Sequence, residues 1–487
     1  MAMLQVKTRQ GIVEGLPGWN QSFSVFRGIP YAKPQTGSLR WAPPQPAEPW
    51  EGVKECFKWG DTAMQGGRMP APGAAAEGMD KDRPRPAPNP AGNVFAPLNL
   101  NPRRMNCSED GLNLNVWTPA ESPDEKLPVC VWIHGGGFGG GTGSGNAFDG
   151  EAFCKKGMVM VSINYRLGVF GFLSHPELTA ENNGQGGGNW ALMDMQLALR
   201  WVKENIAAFG GDPDHVGIFG QSAGGMAVRD LACSPLSAGL FDYAIIQSGG
   251  GTVYDFSNTP GEAMLTLQEA EQLGLEFFEF AGYKNLEEAR TADAFEVRDK
   301  ANAFNAYKKS GMLFKPNVDG IVLPESAGEC AVNGHQLPIH YMIGCAHGDG
   351  MFGDPLAAVH EFAEETAKHG PYPPYVYYLS YVPPGAPDAH HSMEHHYVFK
   401  TLDRGFREYS GFDYDMAKTV NGWWADFFKT GDPNGSTDAV GSDAANGGSD
   451  GTRSDAANSG KEAKWLPYTT EEPQYMDIGN ERVMKHF

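Results

Sequence analysis

Six short, almost unbroken apolar runs, set between glycine-rich turns and helical stretches, leave this chain few folds to adopt. They are Val129-Cys130-Val131-Trp132-Ile133, Met158-Val159-Met160-Val161-Ser162-Ile163, Val216-Gly217-Ile218-Phe219, Tyr243-Ala244-Ile245-Ile246, Tyr341-Met342-Ile343 and Tyr375-Val376-Tyr377-Tyr378-Leu379. None shows the polar alternation of a strand with one wet face, so they read as strands covered on both sides. Between the second and third, Leu192, Met195, Leu199, Val202 and Ile206 recur at the three- and four-residue spacing of a buried helix face. Strands alternating with helices predict a large, mostly parallel sheet flanked by helices. A hydrophobic content of 41% over 487 residues is enough to fill such a core. One α/β domain over residues 1–487 is the expectation.

Two segments interrupt the pattern. Gln65 to Asn106 is rich in proline, glycine and alanine and has no helical or strand period, so it is expected to be a long loop covering the domain. Gly435 to Gly460 repeats Ser442-Asp443-Ala444-Ala445-Asn446 as Ser454-Asp455-Ala456-Ala457-Asn458. So polar a stretch buries too little apolar surface to order itself, and it is expected to be a mobile insertion without a catalytic role.

The formal net charge of −21 argues against nucleic acid and anionic membrane surfaces as partners, because both attract basic patches. Seven cysteines, an odd number without a C-x-x-C pair, suit reduced thiols better than a disulfide framework or a zinc site. Cys130 and Cys345 stand in apolar runs and are expected to be buried. The first residues lack the apolar core of a signal peptide, and no run is long enough to span a bilayer, which together predict a cytoplasmic location.

Chemistry enters with Gly220-Gln221-Ser222-Ala223-Gly224, a G-x-S-x-G pentapeptide between an apolar run and a segment able to continue as a helix. Strand, sharp turn and helix in that order present one serine hydroxyl at the end of a sheet. His134-Gly135-Gly136-Gly137-Phe138 follows the run Val129 to Ile133. Consecutive glycines at a strand end let bare backbone N–H groups converge on a developing negative charge. A phosphate loop is the competing reading, but Gly139 to Asn146 supplies neither its lysine nor a helical pattern.

Further strings extend the picture: Phe26-Arg27-Gly28-Ile29-Pro30-Tyr31-Ala32, Ser108-Glu109-Asp110-Gly111-Leu112-Asn113-Leu114-Asn115-Val116-Trp117 and Asn164-Tyr165-Arg166-Leu167-Gly168. Gly188-Asn189-Trp190-Ala191-Leu192-Met193-Asp194, Phe209-Gly210-Gly211-Asp212-Pro213 and Gln247-Ser248-Gly249-Gly250 continue the series. Asp319-Gly320, Tyr397-Val398-Phe399 and Gly431-Asp432-Pro433-Asn434 close it. Together these strings resemble the type-B carboxylesterase family in a bacterial-type member, the branch of α/β-hydrolases that includes the cholinesterases. The resemblance covers nearly the whole chain. It implies an α/β-hydrolase fold with long loop insertions, and ion-pairing roles for Arg27, Glu109, Asp110 and Arg166. Ser248 is either a hydrogen-bonding group near the catalytic centre or a turn residue.

In such hydrolases the chain order is nucleophile, acid, histidine. Ser222 is then the nucleophile. Asp349 matches the family's acid, where glutamate is usual, and Asp354 is the runner-up. Among His390, His391, His395 and His396, His391 has the family's spacing to Glu394 and to Tyr397-Val398-Phe399. A histidine cluster can also hold a metal, but no carboxylate or cysteine ligand set accompanies this one. The resemblance implies an oxyanion hole of Gly136, Gly137 and Ala223, a small-molecule ester as partner, and no cofactor and no metal. The segment between Asp349 and His391 is shorter than in many relatives, which makes Gln65 to Asn106 a candidate roof. Phe138, Trp190, Tyr254 and Phe256 suit either aromatic acyl groups or ordinary packing. An amidase or acyltransferase using the same residues, and a non-catalytic binding or adhesion protein, are the alternative functions.

Overall fold

A computed structural model describes residues 2–66, 106–184, 187–251, 264–352, 354–405, 407–435 and 463–487. Most of both loop stretches, 65–106 and 435–460, and the aromatic residues Tyr254 and Phe256 therefore lie outside the described residues. An eleven-stranded sheet runs through the molecule. In chain order its strands begin with β1 (Leu16–Pro17), β2 (Ser24–Pro30), β3 (Asn113–Thr118), β4 (Leu127–Ile133), β5 (Val159–Ile163) and β6 (Gly211–Gln221). They continue with β7 (Tyr243–Gln247), β8 (His340–Ala346), β9 (Tyr375–Leu379), β10 (Gln474–Ile478) and β11 (Arg482–His486). Across the sheet the order is β11-β10-β9-β8-β7-β6-β4-β5-β3-β2-β1. Neighbours from β5 through to β10 pair in parallel. The outer pairs at both edges are antiparallel. All six apolar runs are strands of the parallel part, and the architecture is that of an α/β-hydrolase.

Alternation along the buried strands explains why both faces must be covered. Val129, Val131 and Ile133 of β4 join one apolar layer, together with Leu192, Met195 and Val202 of α1 (Trp190–Asn205) and Ala227 and Val228 of α2 (Ala223–Cys233). Cys130 and Trp132 of the same strand face the opposite layer, where Phe219 of β6 meets Phe399 and Phe428. The predicted helix ends one residue before Ile206, which opens a short 3-10 turn instead. Further helices are α3 (Leu267–Ala281) and α4 (Ala294–Tyr307) between β7 and β8, and α5 (Pro355–His369) after β8.

After β4 the chain turns to β5 on one side, then crosses back to β6 on the other and continues outward through β7, β8 and β9. Such a switch point opens a crevice at the carboxyl ends of the two adjacent strands. The ends of β4 and β6 carry the glycine loop and Ser222, so topology alone sets them side by side.

Of the four charges expected in ion pairs, two are paired. Arg40 forks onto Glu109, with Nε and Nη2 each 2.6 Å from a carboxylate oxygen. Arg166 donates through Nε and Nη2 to Asp194 at 2.8 and 2.7 Å, and its backbone N–H adds a third bond. Arg27 instead lies over the Trp59 ring and donates to the Phe57 carbonyl, and Asp110 is exposed. Asp110 stands at the surface, where water screens a charge and removes the need for a partner, whereas half-buried Arg27 sets its charge against the Trp59 ring instead.

Asp194 is fully buried, so Arg166→Met strands a carboxylate away from water. The expected loss is about 3–5 kcal/mol of unfolding free energy, read by urea denaturation. Arg166→Met/Asp194→Leu should recover most of it, because no charge is then left unpaired.

Candidate active site

Ser222 sits where β6 gives way to α2, with φ 59° and ψ −128°. A non-glycine residue held there is strained by about 1–3 kcal/mol, so the surrounding packing must impose it. A Cβ at Gly220 would lie 2.4 Å from the Gly224 carbonyl oxygen, and one at Gly224 would lie 2.2 Å from that of Ile133. Only glycines allow the turn to close. Ser222 donates its backbone N–H to Gln247 at 2.9 Å and is itself 3% exposed. Ala223 opens α2, whose first N–H groups have no partner within the helix and carry its positive dipole end.

The glycine loop leaves β4 against this turn. A Cβ on Gly135 would come 3.1 Å from the Ser222 Cβ, which shows how near the loop passes to the serine. Gly136, Gly137 and Phe138 all take positive φ (114°, 63° and 56°). Gly139 and Gly140 both donate to the Gly136 carbonyl, closing the loop. His134 is buried and stacked on Tyr165 at 4.4 Å. Burial lowers its pKa to about 4, against the pull of its contact with the Gly135 carbonyl, so it is neutral near pH 7 and braces the loop. Gln65 holds the far side, donating through Nε2 to the Gly141 carbonyl at 2.7 Å and accepting the Gly141 N–H at 2.9 Å.

Asp349 lies on the turn His347–Phe352 after β8 and is 3% exposed. One carboxylate oxygen accepts the Ala346 N–H at 2.8 Å, and the other contacts Nδ1 of His391. Asp354 is exposed and accepts the Ala357 N–H at 3.1 Å as the N-cap of α5.

His391 is buried. Burial disfavours its charged form, but the hydrogen bond and charge of Asp349 outweigh that and, with Glu394, raise its pKa above the ordinary value. The other histidines of the stretch are engaged elsewhere. His390 contacts the His391 carbonyl through Nδ1, His396 contacts the Thr401 carbonyl, and His395 lies edge-on to Trp132 and Phe148. Among the described residues no group of three or more His, Cys, Asp or Glu side chains is placed to hold a metal.

Three further groups belong to this neighbourhood. The Gln221 amide lies 3.2 and 3.4 Å from the two ring nitrogens of His391, and its oxygen accepts from Ser392 at 2.9 Å. Ser248 donates to Glu394 at 3.2 Å. Glu394 is buried, and desolvation followed by the nearby Asp349 charge raises its pKa to about 7. Gln221 escaped the sequence reading because it fills a variable position of the pentapeptide, and Gln65 because it opens a featureless loop. Glu394 was visible only as a spacing mark. Phe138 and Trp190 are packing residues: Phe138 packs edge-on to Phe172, and Trp190 is fully buried and donates to the Leu173 carbonyl.

All seven cysteines are free, Cys130 and Cys345 are buried, and no described helix is long and apolar enough to cross a membrane.

The family model described as "Carboxylesterase family" matches residues 2–356 and 355–487. The chain is 38% identical over 316 residues to fumonisin B1 esterase of Sphingopyxis macrogoltabida, covering 65% of this chain and 50% of that protein. It is 33% identical over 368 residues to para-nitrobenzyl esterase of Bacillus subtilis (strain 168), covering 74% and 66%. The aligned part thus spans about half to two thirds of these relatives' length. Among solved structures, a Geobacillus stearothermophilus carboxylesterase superposes with TM-score 0.75 at 28% identity, covering 99% of this chain and 97% of the other. A PNB esterase superposes with TM-score 0.78 at 26% identity, covering 99% and 96%.

Proposed function

Because the chain belongs to the carboxylesterase family, we propose that it hydrolyses carboxylic esters of small molecules through an acyl-enzyme on Ser222. The observation that carries this reading is the buried Asp349–His391 contact beside the strained Ser222 turn. Ser222 attacks the ester carbonyl while His391 takes its proton, and Asp349 holds the imidazole tautomer and stabilises its positive form. The N–H groups of Gly136, Gly137 and Ala223 receive the oxyanion. His391 then protonates the departing alcohol, and water activated by the same imidazole releases the acid from Ser222.

Relatives named for esters as different as fumonisin B1 and p-nitrobenzyl compounds do not narrow the substrate of this chain. Short-chain acyl and aromatic-acyl esters both remain within the proposal. The direct test is turnover of p-nitrophenyl butyrate against the matched anilide, followed by a panel of acetyl, feruloyl and galloyl esters. Ester turnover is the expected result, and preference for the anilide would reassign the chain as an amidase.

The pH profile follows from the charges around the imidazole. Neutral His391 is the base, so kcat/KM falls as it protonates. Its raised pKa sets that acid limb above the usual histidine value of about 6.5. Near pH 7 Glu394 is about half ionised and its partial negative charge favours the protonated ring, so Glu394→Gln should move the acid limb to slightly lower pH. A limb that stays in place would show that Glu394 is electrically silent.

A further inference from the structure

His391 stands on an irregular stretch of chain. Between the end of β9 at Leu379 and the short helix Glu394–Val398, the described chain has no strand or helix. Backbone without ladder or helical hydrogen bonds does not aim a side chain by itself, so cross-links to neighbouring segments must aim this one. Asp349 is placed in a similar way, on the turn His347–Phe352 after β8. Two short segments must therefore be held in one register for the contact between them to form.

Three successive rungs hold them. Nδ1 of His347 lies 2.7 Å from Oδ1 of Asp388, the Gly348 N–H donates to the Ala389 carbonyl at 2.8 Å, and Asp349 meets His391. At the middle rung the two backbones touch. A Cβ on Gly348 would lie 2.7 Å from the Ala389 carbonyl oxygen and 2.8 Å from the His390 Cα. The same Asp388 oxygen also accepts the Ala389 N–H at 2.7 Å, which fixes the residue whose carbonyl makes that rung. On its other side His347 lies edge-on to Tyr378 of β9, with ring centroids 6.1 Å apart.

The outer rung differs from the inner one in exposure. The His347 and Asp388 side chains are 57% and 40% exposed, whereas Asp349 and His391 are buried. An exposed pair of this kind adds little to the stability of the fold. Its place is what matters, since it ties the two segments together just ahead of the acid on one and of the imidazole on the other. We propose that His347 and Asp388 are positioning residues, clamping the acid turn onto the histidine segment so that Asp349 keeps its contact with His391. Both act through that contact and take no part in bond making. The assignment rests on the esterase reading above.

Kinetics of p-nitrophenyl butyrate hydrolysis test it. His347→Ala should lower kcat roughly three- to ten-fold at unchanged KM, the range set by one partly exposed charge-assisted hydrogen bond. His347→Asn, whose amide N–H takes the place of Nδ1, should recover most of the loss. The double variant His347→Ala/Asp388→Ala should be no slower than Asp388→Ala alone, because both residues serve one contact. The pH profile supplies a readout that a structural role would not move. The titratable groups facing the His391 ring are Asp349, Glu394, His390 and His395. Removing a positive charge at His347 would by itself move the acid limb of kcat/KM to higher pH, whereas loosening Asp349 from the ring moves it to lower pH. The downward shift is expected in His347→Ala. Unchanged kcat in both single variants, a double loss equal to the product of the single losses, or an acid limb that stays or rises overturns the clamp. Failure of the wild type to turn over any ester overturns the esterase reading, and the clamp with it.

Discussion

Ser222→Ala should reduce kcat for p-nitrophenyl acetate on the order of 10⁶-fold, leaving only the residual rate that binding and oxyanion donors can supply. The size of the effect reflects the loss of the covalent route, since no other hydroxyl stands on the β6–α2 turn. The fold should survive the change. Alanine donates the same backbone N–H to the Gln247 carbonyl as serine does, and the left-handed φ of 59° strains both residues alike. A thermal melt close to wild type, together with lost turnover, separates the chemical from the structural role. Turnover within ten-fold of wild type would remove Ser222 from the mechanism.

Asp349→Asn is the second large effect, with kcat expected to fall roughly 10⁴-fold. The amide keeps the shape of the carboxylate but can present N–H to Nδ1 of His391, which favours the wrong tautomer and leaves the imidazolium unsupported. The same substitution removes the main influence raising the His391 pKa, so any residual activity should extend to lower pH. Asp354→Asn is the matched comparison. Asparagine caps helices about as well as aspartate, so this variant should lose less than about 0.5 kcal/mol and keep its turnover. If Asp354→Asn is crippled and Asp349→Asn is not, the two acids exchange roles.

These two aspartates show where sequence reasoning stops. Both follow β8 within a few residues, and both are acidic side chains ahead of the histidines. What separates them is the path of the turn His347–Phe352, which points Asp349 inward while Asp354 starts a helix at the surface. The same holds for the histidines. Spacing singled out His391, but only packing shows His395 wedged against Trp132 and His396 bound to the Thr401 carbonyl. Gln65 is the opposite case. It follows no pattern, and yet it makes two hydrogen bonds to Gly141 of the glycine loop.

The sequence by itself determined the parallel sheet, the Ser222 turn and the glycine loop. Each is a local property: unbroken apolar runs need cover on both faces, and tight turns need glycine where a Cβ would meet backbone. Tertiary structure alone decided which acid meets His391, which charges pair, and that Gln221 lies against the His391 ring. Those contacts join residues from 28 apart, for Arg166 and Asp194, to well over a hundred apart. Their geometry depends on how loops route the chain across the switch point, and no local pattern encodes it.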